Sequence, residues 1–70
     1  MKVTINGEEK VIDSKDNPLT LDSVINQLGL NPKSIVVEFN GIIRNPQTWA
    51  QYQVNDGDTL EIVTIVGGGS

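Results

Sequence analysis

The sequence predicts an α+β domain in which one sheet packs against one helix. Segments with alternating apolar and polar residues occur near both ends and in the middle of the chain, whereas only residues 21–28 have helical spacing. A run of strands interrupted by one helix is typical of a two-layer roll. At 70 residues the chain has room for one domain, whose core only just offsets the conformational entropy lost on folding.

The first element is a hairpin. Residues 2–6 alternate at period two, and Asn6-Gly7 is a turn signal. A two-residue turn would pair Val3 with Lys10, whereas a three-residue connection would place Val11 opposite Val3 on the core face. Because register follows the buried face, we expect the longer connection.

The helix follows a polar stretch over residues 13–18. Its apolar residues recur at i, i+3, i+4 and i+7, which is the pattern of one amphipathic stripe: Leu21, Val24, Ile25 and Leu28. Thr20 is the predicted N-cap, Asp22 suits the positive end of the helix dipole, and Gly29 followed by Pro32 is a stop signal. We predict a helix over residues 21–28.

Two strands and a covering segment come next. Residues 34–40 are rich in β-branched side chains and return to period two, with one face formed by Ile35, Val37 and Phe39. The turn signal Asn40-Gly41 leads into a short edge strand, Ile42-Ile43, which Asn45-Pro46 ends. Trp49 and Tyr52 are then expected to cover the open end of the core.

The last strand is predicted to be central, because residues 59–66 are the most apolar segment. It follows a third turn signal over residues 55–58. Leu60 and Ile62 would face the helix. On the opposite face lie Val63 and Ile65, beside Val36, with Glu38 and Glu61 at the rim. Two interpretations stay open: these side chains form a docking patch for a partner, or they merely support strand formation.

Composition and charge narrow the class of protein. Hydrophobic residues make up 37% and charged residues 20% of the chain, as in soluble globular proteins. The net charge of -4 disfavours nucleic acid or an anionic membrane as a partner and favours a basic protein surface. The chain has no apolar stretch of membrane-spanning length, no signal-peptide pattern and no cysteine. We therefore predict a soluble, cytoplasmic protein.

The side chains offer little chemistry. There is neither histidine nor cysteine, so the chain lacks a general base near neutral pH and a thiolate nucleophile. Asp56 and Asp58 form the nearest carboxylate pair, but Asp-Gly-Asp after Asn is typical of a turn. The serines have no partner base that we can identify. We predict no catalytic residue and no metal site.

The glycine-rich C-terminus is the remaining candidate. We predict a folded domain over residues 1–66 and a flexible tail over residues 67–70, directly after the last strand. A backbone without β-carbons can enter a narrow channel and leave its terminal carbonyl open to attack. The alternative is a terminus without a function, as glycine-rich ends often are.

Taken together, these features resemble a known family. The chain resembles the ThiS-type sulfur carriers of thiamine biosynthesis in the order and spacing of four features. These are residues 36–41, Trp49, the turn and strand over residues 56–63, and the terminal glycines. The resemblance implies the ubiquitin-like β-grasp fold, with a mixed sheet of four to five strands on one helix. It covers nearly the whole chain.

The resemblance also implies a function. In these carriers an E1-like enzyme uses ATP to adenylate the C-terminal Gly-Gly carboxylate, which is then converted to a thiocarboxylate and delivers sulfur to thiazole synthase. A cysteine desulfurase or a rhodanese-type protein would supply the sulfur. The chain would then be a carrier and co-substrate rather than an enzyme, with no bound cofactor, and ATP would be consumed by the partner.

The family's Gly-Gly falls on Gly68 and Gly69, with Gly67 at a position that tolerates a small residue. Ser70 is one residue beyond. It is either a precursor residue that a peptidase removes or part of an added glycine-serine spacer. The family often has Pro-Arg ahead of the tryptophan, where this chain has Arg44 before Asn45-Pro46, so no family role is transferred to Arg44.

Three other functions stay open on the same fold. One is the small subunit of molybdopterin synthase, although the chain is short for that family. The second is a ubiquitin-like modifier joined to lysines, and the third is a β-grasp interaction module whose tail is inert. Four observations would distinguish these functions. Co-purification with thiazole synthase favours the ThiS-type carrier, and pairing with a molybdopterin synthase large subunit favours the small subunit. Lysine conjugates favour the modifier, and binding that survives deletion of the tail favours the inert module.

Overall fold

The computed structural model of the chain describes residues 1–15 and 18–65. This part of the chain forms one sheet of five strands: β1 (Lys2–Ile5), β2 (Glu8–Val11), β3 (Ile35–Phe39), β4 (Ile42–Arg44) and β5 (Thr59–Thr64). Its helices are α1 (Leu21–Gln27) and two short 3-10 helices, Pro32–Ser34 and Pro46–Gln51. None of them is long and apolar enough to cross a membrane.

The sheet has the strand order β2-β1-β5-β3-β4. β1 and β5 run parallel, whereas all other neighbours are antiparallel. The prediction of an α+β domain with one sheet packed on one helix is confirmed, and so is the central position of the last strand. The short edge strand is also confirmed, as β4.

The core lies between α1 and one face of the sheet, which we call the inner face. Helix residues Leu21, Val24 and Ile25 are buried as predicted, and Leu28 packs against them. Gly29, at a φ of 74°, ends the helix as predicted. The buried residues from the strands alternate as the sequence indicated: Val3, Ile5, Ile35, Val37, Phe39 and Leu60.

Thr20 occupies the predicted N-cap position of α1, but its side chain makes no capping hydrogen bond. Its hydroxyl instead donates to the carboxylate of Asp22. Oδ1 of Asp22 accepts from the backbone N–H of Ser23 at 3.0 Å. The acidic residue of the first turn therefore satisfies one of the free N–H groups that the threonine was expected to satisfy.

The predicted register of the first hairpin is wrong. Asn6 and Gly7 have φ values of 53° and 83°, which is the pattern of a two-residue type I′ turn, and Val3 pairs with Lys10. Val11 is 77% exposed. β2 has no buried residue, so no buried face was present to set the register, and the turn geometry set it instead. The residue that reaches the core is the next one along the chain, Ile12.

Trp49 and Tyr52 close one end of the core, as expected. Trp49 lies in the second 3-10 helix and is 2% exposed. Its indole Nε1 donates to the carbonyl oxygen of Arg44 at 2.9 Å, so the ring's polar edge is satisfied. Tyr52 is half-buried, and its ring lies 6.2 Å from that of Phe39.

Candidate functional site

The face of the sheet away from α1, which we call the outer face, carries the predicted docking patch of Val36, Val63 and Ile65. Val36 on β3 lies directly across from Val63 on β5. Val63 is 63% exposed and Ile65 is 51% exposed. The structure therefore places these three side chains together on an open surface, as the alternation of the last strand indicated. Their role in docking stays a prediction.

The patch lies where β5 leaves the sheet. The backbone N–H of Ile65 donates to the carbonyl oxygen of Ser34 at 2.7 Å, so pairing with the β3 side continues one residue past the strand. Val66 and the predicted tail residues Gly67, Gly68 and Gly69 lie outside the described residues. Their assignment as the reactive end of the chain stays a prediction.

Two glutamates lie next to the patch. Glu38 and Glu61 are directly opposite each other on β3 and β5, two pairs along the ladder from Val36 and Val63 and therefore next to them on the same face. Like charges placed directly across a sheet repel each other. A basic side chain of a partner would relieve that repulsion, whereas an acidic one would increase it.

Sequence reasoning missed two residues of this face. Ile43 on β4 is paired with Glu38 and is 65% exposed, so the apolar surface continues to the edge of the sheet. The second is Asn6, whose side-chain amide makes the two hydrogen bonds to β5 that the backbone of a neighbouring strand would otherwise make. Its Oδ1 accepts from the N–H of Ile62 at 2.7 Å, and its Nδ2 donates to the carbonyl of Ile62 at 3.1 Å. The pairing register after Asn40-Gly41 could have identified Ile43, but no sequence pattern indicates the amide bridge.

Asn6 matters to the site because β1 pairs with β5 at only two residues, Thr4 and Ile5. Beyond them, the Asn6 amide satisfies the N–H and the carbonyl of Ile62 that face the β1 side. It thereby fixes the backbone of β5 just before Val63. The strand that carries the patch and precedes the tail is thus held on both sides up to that point.

The turn over residues 55–58 has a structural role, as predicted. Oδ1 of Asp56 accepts from the backbone N–H of Lys2 at 2.7 Å, and Oδ2 of Asp58 accepts from that of Asn55 at 2.7 Å. Oδ1 of Asp58 also accepts from Nδ2 of Asn40 at 3.2 Å. Asp56 therefore joins the turn to β1, and Asp58 closes the turn and joins it to Asn40.

Comparisons with known proteins agree with this architecture. The ThiS family model matches residues 3–69. A crystal structure of the thiamine biosynthesis protein ThiS from Geobacter metallireducens has a TM-score of 0.80 and 27% sequence identity, covering 99% of this chain and 100% of that one. This similarity confirms the β-grasp fold that the sequence implied.

Two relatives differ in how much of their own length they share with this chain. A thiazole synthase of Paramagnetospirillum magneticum is 41% identical over 70 residues, which is 100% of this chain but 21% of that protein. The chain thus spans about a fifth of that relative's length. The uncharacterized protein ycf40 of Trieres chinensis is 37% identical over 65 residues, which is 93% of this chain and 85% of that protein.

Proposed function

This chain belongs to the ThiS family, and on that premise we propose that it is a sulfur carrier, a co-substrate rather than an enzyme. The observation that carries the proposal is the family match over residues 3–69, which includes Gly68 and Gly69 and stops one residue before Ser70. The side-chain inventory agrees, because the chain has neither histidine nor cysteine. The reactive group that we propose is the C-terminal carboxylate of Gly69.

The proposed chemistry takes place at that carboxylate in two steps, once hydrolysis of the peptide bond between Gly69 and Ser70 has freed it. A carboxylate oxygen of Gly69 attacks the α-phosphorus of ATP on an E1-like adenylating enzyme, which forms an acyl adenylate and releases pyrophosphate. Hydrosulfide then attacks the acyl carbon and expels AMP, leaving a thiocarboxylic acid that loses its proton to water. In the cell, a cysteine desulfurase or a rhodanese-type protein would supply the sulfur as a persulfide, whose terminal sulfur expels AMP and forms an acyl disulfide. A thiol then reduces the acyl disulfide to the thiocarboxylate and ends in a disulfide with the donor, and the carrier itself needs no bound cofactor.

We propose thiazole synthase as the acceptor of the sulfur. In the Paramagnetospirillum magneticum relative, a segment similar to all of this chain is part of a thiazole synthase. A second thiazole synthase, from Magnetococcus marinus, contains a similar segment at 29% identity. A carrier joined to its acceptor in one chain is always beside it, whereas a separate carrier must bind it through a surface. The docking patch on the outer face is the surface that we propose for this contact.

The carrier chemistry can be tested by intact mass. Chains ending at Gly69 and at Ser70 are incubated with ATP, sulfide and an E1-like adenylating enzyme. We expect an oxygen-to-sulfur exchange in the chain that ends at Gly69 and none in the chain that ends at Ser70. If a known ThiS protein reacts under the same conditions while neither of these chains changes, the carrier proposal is wrong.

The docking patch can be tested separately with Val63→Asp. Val63 is 63% exposed, so the substitution should lower the free energy of unfolding by less than about 1 kcal/mol, mostly through reduced strand propensity. A buried carboxylate in the interface should weaken binding to thiazole synthase by at least about tenfold. Titration calorimetry and thermal unfolding measure the two effects.

The matched control for that variant is Val11→Asp, because Val11 is equally apolar, exposed and in a strand, but lies on the edge strand β2, two strands away from β5. It should bind as the parent chain does. Unfolding of the Val63→Asp variant would show that Val63 belongs to the core, and equal binding by both variants would place the contact elsewhere.

A further inference from the structure

The two edge strands of the sheet differ in how they are protected. β2 is exposed along its whole length and carries three consecutive charged residues, Glu8, Glu9 and Lys10. β4 carries two exposed isoleucines, Ile42 at 54% and Ile43 at 65% exposure. Charged side chains on an edge strand disfavour pairing with a further strand, whereas an exposed apolar edge strand favours it. β4 is therefore the edge that could accept another strand.

The hydrogen-bonding pattern shows which backbone groups β4 offers. Asn40 and Ser34 bond to β5 through their backbone, and bonding directions alternate along a strand. Between these two residues only every second one therefore bonds to β4: Val37 and Phe39 do so, and they pair there with Arg44 and Ile42. Ile43, between those two, directs its N–H and its carbonyl away from the sheet. One donor and one acceptor are thus available at the centre of the edge.

Arg44, the next residue, adds a charge to this edge. Its guanidinium carbon lies 4.4 Å from the centroid of the Tyr52 ring, and its Nη1 donates to the Tyr52 hydroxyl at 3.1 Å. The stacked ring and the hydroxyl hold the planar group in place. Among residues 1–15 and 18–65, no carboxylate lies within ion-pair distance of Arg44, and its buried Nε has no hydrogen-bond partner. The edge thus presents an ordered cation whose charge is not neutralised by the described residues.

We propose that the β4 edge binds an extended segment of thiazole synthase, which joins the sheet as an additional strand and carries an acidic side chain beside Arg44. The inference rests on the proposed function and assigns a second part to the docking surface. Ile43 belongs to both parts, because its side chain lies on the outer face opposite Glu38 while its backbone forms the edge.

A second copy of this chain fits the edge less well. β4 has three residues, so pairing two such edges would bury far less than the roughly 1,000 Å² that a stable interface needs. Each copy also has a net charge of -4, so the two copies repel each other. A partner that also covers the docking patch would bury more surface than the edge alone provides.

The backbone contact can be tested with Ile43→Pro. Proline removes the outward N–H and leaves the bonds of Ile42 and Arg44 to β3 in place, which is why proline is tolerated at such positions of edge strands. We expect binding to thiazole synthase to weaken at least tenfold. Glu9→Pro is the matched control, because Glu9 lies between the β1-bonded residues of the opposite edge and also directs its N–H outward. It should bind as the parent chain does.

A measurement on the unsubstituted chain avoids any effect of proline on folding. Amide hydrogen exchange is followed with and without saturating thiazole synthase. Exchange at Ile43 should slow at least tenfold in the complex, and exchange at Glu9 should not change. If the chain binds and Ile43 exchanges at its free rate, the inference is wrong while the proposed function stands. If the chain does not bind thiazole synthase, the proposed partner and this inference both fail.

The charge contact is tested with Arg44→Gln, which should weaken binding about tenfold by removing one charge-assisted hydrogen bond. Lys33→Gln is the control for net charge, since Lys33 is an exposed cation of the first 3-10 helix. Its effect should be less than about twofold at physiological salt. Equal effects of the two variants would overturn the assignment of an acidic partner group to Arg44.

The choice of partner is tested by amide exchange of this chain alone. If the protection of Ile43 rises with the concentration of the chain in the absence of thiazole synthase, the choice of partner is wrong.

Discussion

A chain that ends at Gly67 will form no thiocarboxylate, in contrast to the chain that ends at Gly69, and its melting temperature will equal that of the parent chain. The expected loss is complete, because the variant ends at Gly67, and the acyl carbon would then stop two residues short of the position that we propose for it. The fold should not respond, because all buried hydrophobic residues of the described chain lie between Val3 and Leu60. Intact mass after incubation with ATP, sulfide and an E1-like enzyme measures the reaction, and calorimetry measures the stability.

The chain that ends at Gly69 is the control, since it differs from the truncated chain only by Gly68 and Gly69. Binding of both chains to the adenylating enzyme should be similar if the folded domain supplies most of the contact. Adenylation of the chain ending at Gly67 at the control rate would overturn the assignment of the reactive end. A fall in melting temperature would show that the tail packs on the domain.

Most of the fold could be predicted because the buried faces set it. In β3, the alternation of Ile35, Val37 and Phe39 allows only one face to point inward, and these residues are buried. The exposure of Val63 also follows from simple reasoning: a sheet with apolar residues on both faces and one helix leaves one face uncovered. Such sequence patterns predict the structure reliably where the burial of apolar side chains dominates the free energy of folding.

The wrong and missed predictions concern strands in which burial of side chains does not determine the register. The register of β2 was predicted from Val11, but every residue of that strand is exposed, and the preference of Asn6-Gly7 for a two-residue turn outweighed any gain from burying one valine. The outward backbone of Ile43 was missed for a similar reason. A three-residue edge strand has too little pattern to show its bonding direction, which depends on the register of its neighbours.

Trp49→Ala is expected to have the largest effect on stability of any single substitution that we describe. Trp49 is the largest of the fully buried side chains, and replacement of a buried tryptophan by alanine costs about 3–5 kcal/mol. A domain of 70 residues has a total stability of about 4–10 kcal/mol. The variant should therefore melt at least about 12 °C below the parent chain, and part of the population should be unfolded at 37 °C.

Trp49→Phe separates the volume of the ring from its hydrogen bond. Phenylalanine retains most of the apolar volume but leaves the carbonyl of Arg44 without the indole donor that lies 2.9 Å away, so we expect a loss of about 1–2 kcal/mol. Chemical denaturation followed by circular dichroism measures both variants. A loss below about 1 kcal/mol for Trp49→Ala would mean that the second 3-10 helix is a detachable cover. In that case the sheet and α1 alone would form the stable unit, and the hydrogen bond from Trp49 would not be needed to hold the backbone of Arg44.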